Sequence, residues 1–202
     1  METTQAWPSP RERALFTLLF FTGLRISEAT GLHWCDVDLD RGRVTLHDPK
    51  GRQTVTLPLA RQAVDALKDL ERQTEWVFPA VKRTGEVASM GYPSSGVSGR
   101  HTAESGVEWS PHDLRRTFIS VGESIGVPSA AVRRLTNHVV DRRDAHDGHI
   151  DFDADDLAPH VQRVADALEG LASGTRGDVV TLRPNTDRPT EQPGDAALQS
   201  RG

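Results

Sequence analysis

Residues 22–39 read TGLRISEATGLHWCDVDL and lie at the junction of two predicted helices. Gly23 favours the end of the first helix, because glycine adopts the left-handed backbone at little cost. Three apolar residues then recur at helical spacing, which predicts a short second helix from about Arg25 to Leu32 with Trp34 packed beneath it. The stretch therefore predicts two helices joined by a tight turn.

The chain around this turn is typical of one folded domain. Its 202 residues and 36% hydrophobic content suffice for a single core. Ser9-Pro10-Arg11-Glu12 predicts the start of the first helix, with the serine as N-cap and the proline at the first helical position. We expect a disordered N-terminus over residues 1–10, one domain over residues 11–172 and a disordered tail over residues 173–202.

Further along the chain, the apolar pattern predicts a mainly α fold with a small antiparallel β-sheet. A hairpin with its turn at residues 48–51 is indicated by apolar residues that alternate with polar ones: Val44, Leu46, Val55 and Leu57. Residues 82–107 are rich in Gly, Ser and Thr, which predicts a long loop. Helices are expected over about 59–73, 110–125, 129–136 and 157–171, with a loop over the aspartate-rich residues 141–156.

Charge and cysteine content narrow the class of protein. The net charge of −5 is unusual for a DNA-binding chain, but residues 141–172 alone hold nine acidic against three basic side chains, so the acidity is local. The longest apolar stretch, residues 14–24, is too short to span a bilayer. With one cysteine and no secretory signal, the sequence indicates a cytoplasmic protein with no membrane partner.

Side chains suited to phosphate binding occur at several separated places. His112 and Arg115 are three residues apart, so both project from the first turn of a predicted helix. A helix N-terminus attracts anions, and the arginine fork matches two phosphate oxygens. Taken singly, Arg25, Lys50 and His138 are as typical of solvated or capping residues as of a binding site.

Together and in this order, these residues resemble one family. The segments TGLRISEATGLHWCDVDL, PHDLRRTF and RLTNH, with Lys50 on the intervening hairpin, are similar to the catalytic domain of tyrosine recombinases, or phage integrases, over about residues 11–171. The resemblance implies a domain that binds double-stranded DNA for integration and recombination, by strand cleavage and rejoining.

The resemblance also implies a role for each matching residue. Arg25 and Arg115 would clamp the scissile phosphate, and Lys50 would protonate the leaving 5′ oxygen. His112 would assist proton transfer at the nucleophile, and His138 would hydrogen-bond the phosphate. No metal or other cofactor is implied, because the phosphodiester energy is kept in a covalent phosphotyrosyl link.

The tyrosine that the family uses as nucleophile is missing. The only tyrosine, Tyr92, precedes His112, and aligning the last helix on VQRVADAL puts His149 where the tyrosine belongs. Imidazole reaches roughly 2 Å less far than a phenol oxygen, and a misplacement of ~1 Å costs about 100-fold in rate. Because only about ten residues precede the first helix, where the family carries a further DNA-clamping module, we expect a truncated and catalytically impaired integrase.

Several alternatives remain. His149 itself, or a tyrosine donated by a partner, could act as the nucleophile. The aspartates of residues 141–156 would repel DNA, and His146 with His149 among them could bind a transition metal. The chain could also be a protein-interaction module that docks on other recombinase protomers through the apolar face of its 157–171 helix.

Overall fold

The computed structural model describes residues 9–47, 54–90, 109–137 and 152–174. Within these segments, six α-helices and two small antiparallel sheets confirm the predicted fold class. The helices are α1 (Pro10–Thr22), α2 (Ile26–Thr30), α3 (Arg61–Lys68), α4 (Pro111–Ser124), α5 (Ser129–Leu135) and α6 (Ala154–Ala172). The strands are β1 (Val37–Asp38), β2 (Arg43–Leu46), β3 (Val55–Pro58), β4 (Pro79–Val81) and β5 (Val87–Ser89). None of the helices in these segments combines the length and apolar character needed to cross a membrane.

The central helix is α1, which packs against α3, α4 and α6. It is apolar around most of its circumference, and five of its six large apolar side chains are almost completely buried, namely Leu15, Phe16, Leu18, Leu19 and Phe21. The predicted N-cap is confirmed, because the Ser9 hydroxyl accepts a hydrogen bond from the Glu12 N–H at 3.4 Å. The helix ends at Gly23, whose φ of 66° is left-handed as expected.

The first sheet is the predicted hairpin with one short additional strand. Its order is β1-β2-β3, and the apolar pairs Val44↔Leu57 and Leu46↔Val55 lie on its buried face. Helix α6 packs against β3 and so helps to cover that face. The turn of the hairpin lies outside the described residues, and so does Lys50.

The helix predicted over residues 59–73 is shorter in the structure, because α3 ends at Lys68. The chain then runs through a turn to Val77 and Phe78, which are buried. A second sheet, β4-β5, ends within the region expected to be a loop, so that expectation is wrong for Val87–Ser89, while residues 82–86 form a turn. These strands have three residues each and no apolar alternation, since Val81 and Val87 are both exposed. Periodicity therefore gave no signal for them.

Helix α6 begins earlier than predicted. Asp153 is its N-cap, and its carboxylate accepts hydrogen bonds from the N–H groups of Asp155 at 2.7 Å and Asp156 at 2.9 Å. The loop expected over residues 141–156 is therefore wrong for residues 154–156, because aspartates in a first turn stabilise a helix through its dipole. The preceding residues 138–151 lie outside the described part of the chain.

The apolar face of α6 is buried against the chain's own core. Leu157, Val161, Val164 and Leu168 are each at most 1% exposed. Hydrogen bonds from Gln62 of α3 to Asp166 and Glu169, and an ion pair between Arg43 and Asp155, hold the polar side of the helix to its neighbours. The face expected to be available to a partner is thus covered within this chain.

Candidate functional site

The turn after α1 brings the predicted arginines Arg25 and Arg115 to one place. The Gly23 carbonyl accepts a hydrogen bond from Nη1 of Arg115 at 2.8 Å, and Arg25 follows two residues later. A Cβ atom on Gly23 would lie 2.7 Å from Cδ1 of Phe118 and 3.1 Å from Cγ2 of Thr136. Glycine therefore permits the close approach of α4 and of the end of α5 to this turn.

Arg115 is a cation in an unusually buried position. It is only 5% exposed, and its Nη2 has no hydrogen-bond partner among the described residues. Burial and, to a smaller extent, the positive charge of Arg25 lower the pKa of Arg115 to about 10, against the opposite effect of the Glu28 carboxylate. A buried guanidinium with an unused donor is costly for a protein, so this donor is well placed to bind an acceptor from outside.

Arg25 is held by Glu28 and Asn137. Its Nη1 donates to Oε1 of Glu28 at 2.9 Å and to the backbone oxygen of Asn137 at 2.8 Å. The other carboxylate oxygen of Glu28 accepts from the Arg25 N–H at 2.8 Å, and Nδ2 of Asn137 donates to Oε1 of Glu28 at 2.9 Å. The Arg25 side chain is nevertheless 40% exposed, so the fixed guanidinium still reaches solvent.

We call Arg25, Glu28, Arg115 and Asn137 the arginine cluster. It contains two guanidinium groups and one carboxylate, which is paired with Arg25, so its formal charge is +1. Guanidinium groups match the geometry of phosphate oxygens, and partial burial strengthens their attraction for an anion. The arrangement is therefore chemically suited to hold a phosphate group.

Sequence reasoning missed Glu28 and Asn137. Glu28 stands three residues after the residue that precedes α2, which is the capping-box position, so a local signal for it existed. Asn137 gave no comparable signal, because its partners lie more than 100 residues away in the sequence. Asn137 has a positive φ of 45°. Asparagine adopts this conformation more often than most residues, but the sequence does not show that it does so here.

His112 lies in the first turn of α4, as the sequence predicted. It is exposed to solvent, one helical turn before the buried Arg115. The start of this helix is fixed by a capping box, in which the Asp113 carboxylate accepts from the N–H of Ser110 at 2.9 Å and from its hydroxyl at 2.7 Å. These hydrogen bonds lower the pKa of Asp113.

The other predicted site residues lie outside the described part of the chain. They are Lys50, His138 and His149, together with Tyr92 and the loop histidine His146. His138 directly follows Asn137, the last residue of the described segment 109–137 and a member of the arginine cluster. The roles of these residues remain predictions.

Comparison with known proteins identifies a family that this chain matches. Residues 1–143 match the Phage integrase family. Tyrosine recombinase XerD of Neisseria meningitidis is 29% identical over 167 residues, which cover 76% of this chain and 52% of that protein. Tyrosine recombinase XerC of Xanthomonas campestris is 32% identical over 169 residues, which cover 80% of this chain and 49% of that protein. This chain spans about half the length of the curated relatives that it matches.

A solved structure has the same fold. The integrase from mycobacterium phage Brujita superposes with a TM-score of 0.61 and is 25% identical, covering 81% of this chain and 55% of that one. The superposition extends over most of this chain, so the two proteins share the overall fold.

Proposed function

The chain belongs to the Phage integrase family of tyrosine recombinases, and from this premise we propose that it binds double-stranded DNA and holds one backbone phosphate with Arg25 and Arg115. The observation that carries the proposal is the arginine cluster, in which Arg25 is paired with Glu28 and Nη2 of the buried Arg115 has no hydrogen-bond partner among the described residues. Such preorganised charge stabilises a phosphate whose negative charge grows during reaction.

The remaining residues of the motif complete the proposed site. Lys50 protonates the leaving 5′ oxygen, His112 assists proton transfer at the nucleophile, and His138 hydrogen-bonds the phosphate. The exposure of His112, one helical turn before Arg115, supports its part in this assignment. His149 stands in place of the tyrosine nucleophile, so we propose that the domain binds DNA but cleaves it weakly or not at all.

The binding part of the proposal is tested with a fluorescent duplex of mixed sequence in a low-salt anisotropy titration. We expect Arg25→Ala and Arg115→Met each to weaken binding about tenfold, because each removes a charge-assisted contact with phosphate. Each should also reduce the slope of log affinity against log salt by about 0.9. Arg41→Ala is the control, since Arg41 is an exposed arginine paired with Asp38 outside the cluster.

Two outcomes would contradict the binding proposal. The first is an absence of salt-dependent affinity for DNA in the unchanged protein, which would rule out DNA as the partner. Alternatively, the two cluster variants could match Arg41→Ala, which would mean that affinity follows total charge and that the arginine cluster has no special part.

The cleavage part is tested with nicked suicide duplexes, which trap a covalent protein–DNA adduct. The unchanged protein should form no adduct, and His149→Tyr should form one that disappears when Arg115→Met is added. An adduct with the unchanged protein that His149→Ala abolishes would instead identify a histidine nucleophile. An adduct that survives His149→Ala would point to another nucleophile.

The alternative function, docking on another recombinase through the last helix, has less support. Docking through the apolar face of α6 requires that face to be free, and its central residues are buried within this chain. Releasing four large aliphatic side chains would expose them to water at a cost of roughly 1.5–3 kcal/mol each. Binding to a full-length recombinase by a protein without DNA affinity would favour this alternative.

A further inference from the structure

We propose that Asn137 is a positioning residue that fixes the guanidinium of Arg25 for phosphate binding. The inference rests on the proposed function, because it concerns how the phosphate site is preorganised. It adds a residue from the end of α5 whose effect is transmitted through Arg25 and Glu28. Asn137 itself is not assigned any contact with DNA.

The first step of the argument is the backbone of Asn137. Its φ of 45° is left-handed, a conformation that asparagine tolerates better than most residues. The Asn137 N–H donates to the Arg134 carbonyl at 3.0 Å, which closes the last turn after α5. In this conformation the Asn137 carbonyl accepts the hydrogen bond from Nη1 of Arg25 at 2.8 Å. The left-handed turn therefore provides one acceptor for Arg25.

The second step is the side chain of Asn137. Its Nδ2 donates to Oε1 of Glu28, the same oxygen that accepts from Nη1 of Arg25. The three residues thus form a closed ring of hydrogen bonds, in which Asn137 touches both members of the ion pair. The donor ties the carboxylate in place while the carbonyl ties the guanidinium.

The third step concerns freedom of motion. A partly exposed ion pair between residues three apart contributes little by itself and leaves both side chains mobile. Ordering a long side chain on binding has an entropic cost, which is avoided when the bound geometry exists beforehand. Asn137 supplies that prior order for Arg25, whereas burial supplies it for Arg115.

Two substitutions separate the backbone contribution from the side-chain contribution. Asn137→Gly keeps the left-handed turn and its carbonyl but removes the amide donor. Asn137→Asp keeps the shape of the side chain but replaces the donor with a carboxylate next to that of Glu28, which repels it. We expect both variants to fold, and the aspartate variant to disturb Arg25 more than the glycine variant does.

The test is a double-mutant cycle on DNA affinity, measured with the mixed-sequence duplex at low salt. Asn137→Gly should weaken binding about threefold in the unchanged protein and have no effect in the Arg25→Ala background. Equal losses in both backgrounds would overturn the inference, because Asn137 would then act on the fold in general. Unchanged affinity in the single Asn137→Gly variant would overturn it as well.

A second measurement does not depend on DNA. In the free protein, the side-chain Nε–H signal of Arg25 in an NMR relaxation experiment should change from rigid to mobile on Asn137→Gly, while the signal of Arg115 stays unchanged. If Arg25→Ala does not affect DNA binding but the NMR change is still seen, the proposed function is refuted and the positioning role of Asn137 is not. An Arg25 signal that is equally rigid in both proteins would refute the positioning role alone.

Discussion

The arginine cluster and the acidic start of α6 are both dense groups of charge, but they are built in opposite ways. At the start of α6, the Asp153 carboxylate accepts two backbone N–H groups, and Asp155 pairs with Arg43. In the arginine cluster, Arg25 is paired with the one carboxylate, and a buried donor of Arg115 has no acceptor among the described residues. The carboxylates at the start of α6 thus have partners within the fold, whereas the arginine cluster keeps a donor without one among the described residues.

This difference separates a structural use of charge from a functional one. Carboxylates that cap a helix stabilise the folded state, whereas a buried and incompletely paired cation lowers its stability. Proteins commonly tolerate such a cost where a ligand completes the interaction. Two of the aspartates expected to repel DNA, Asp153 and Asp155, are therefore engaged in holding α6.

The largest expected effect comes from the turn that supports the arginine cluster. Gly23→Ala should lower the free energy of unfolding by about 3 kcal/mol, because it adds a left-handed strain of ~1–2 kcal/mol to an overlap with Phe118. The measurement is urea unfolding followed by circular dichroism, with the slope of the transition checked for constancy.

The control for this change is Gly126→Ala. Gly126 also has a left-handed φ, of 74°, but a Cβ there would meet nothing within 4 Å. Gly126→Ala should lower the free energy of unfolding by about 1 kcal/mol, because only the left-handed backbone strain is added. Equal losses at the two glycines would mean that Phe118 moves aside freely, and the tight approach of α4 would then not be what fixes the cluster.

The turn after α1 also shows which residues of the arginine cluster could be predicted from the sequence. The site roles of Arg25 and Arg115 were implied by the family resemblance, whereas the helix end at Gly23 was predicted from a local signal that acts over a few residues. Glu28 was within reach of the same reasoning, since its carboxylate accepts from a backbone N–H only three residues away. Asn137 was not, because its role is created by contacts between segments that the fold alone brings together.

The same distinction explains the outcome for the elements of the fold. Helices α1 and α4 begin with Ser-Pro and carry an acidic residue at the third position, so both starts were predictable. The strands β4 and β5 were missed because they have neither length nor alternation. The start of α6 was misjudged because aspartates favour both loops and helix caps, and the decision depends on the backbone geometry at Asp153.

The second prediction tests whether Arg115 reduces stability. Arg115→Met should raise the free energy of unfolding by about 1.5 kcal/mol, since removing the buried charge outweighs the lost hydrogen bond to the Gly23 carbonyl. Arg25→Met, at a partly exposed position, should change the same quantity by less than about 1 kcal/mol. A loss above ~2 kcal/mol for Arg115→Met would make Arg115 a structural residue and erase the contrast with α6.

The third prediction concerns the other side of the comparison. Asp153→Ala should lower the free energy of unfolding by about 1 kcal/mol through loss of the N-cap, and Asp153→Ser should restore most of it. Asp155→Ala removes the same charge but only an exposed ion pair, so its effect should stay below ~0.5 kcal/mol. Asp153→Ala and Asp155→Ala should each keep the DNA affinity of the unchanged protein or slightly exceed it. Equal effects of the two aspartates on stability would show that charge at the start of α6, and not capping, is what matters.

The smallest effect is expected at the capping box of α4, which belongs to the satisfied class of charge although it lies next to Arg115. Hydrogen bonds from Ser110 hold the pKa of Asp113 below the ordinary value of 3.8. Because the folded-state pKa is the lower one, the stabilisation is complete above pH 3.8 and disappears as the pH falls through the folded-state value. The difference in melting temperature between the unchanged protein and Asp113→Asn should therefore be positive at pH 7 and shrink steadily below pH 4. Glu123→Gln removes the same charge from the exposed far end of this helix, where no capping hydrogen bond is lost, and a similar shrinkage there would attribute the effect to total charge and not to the cap.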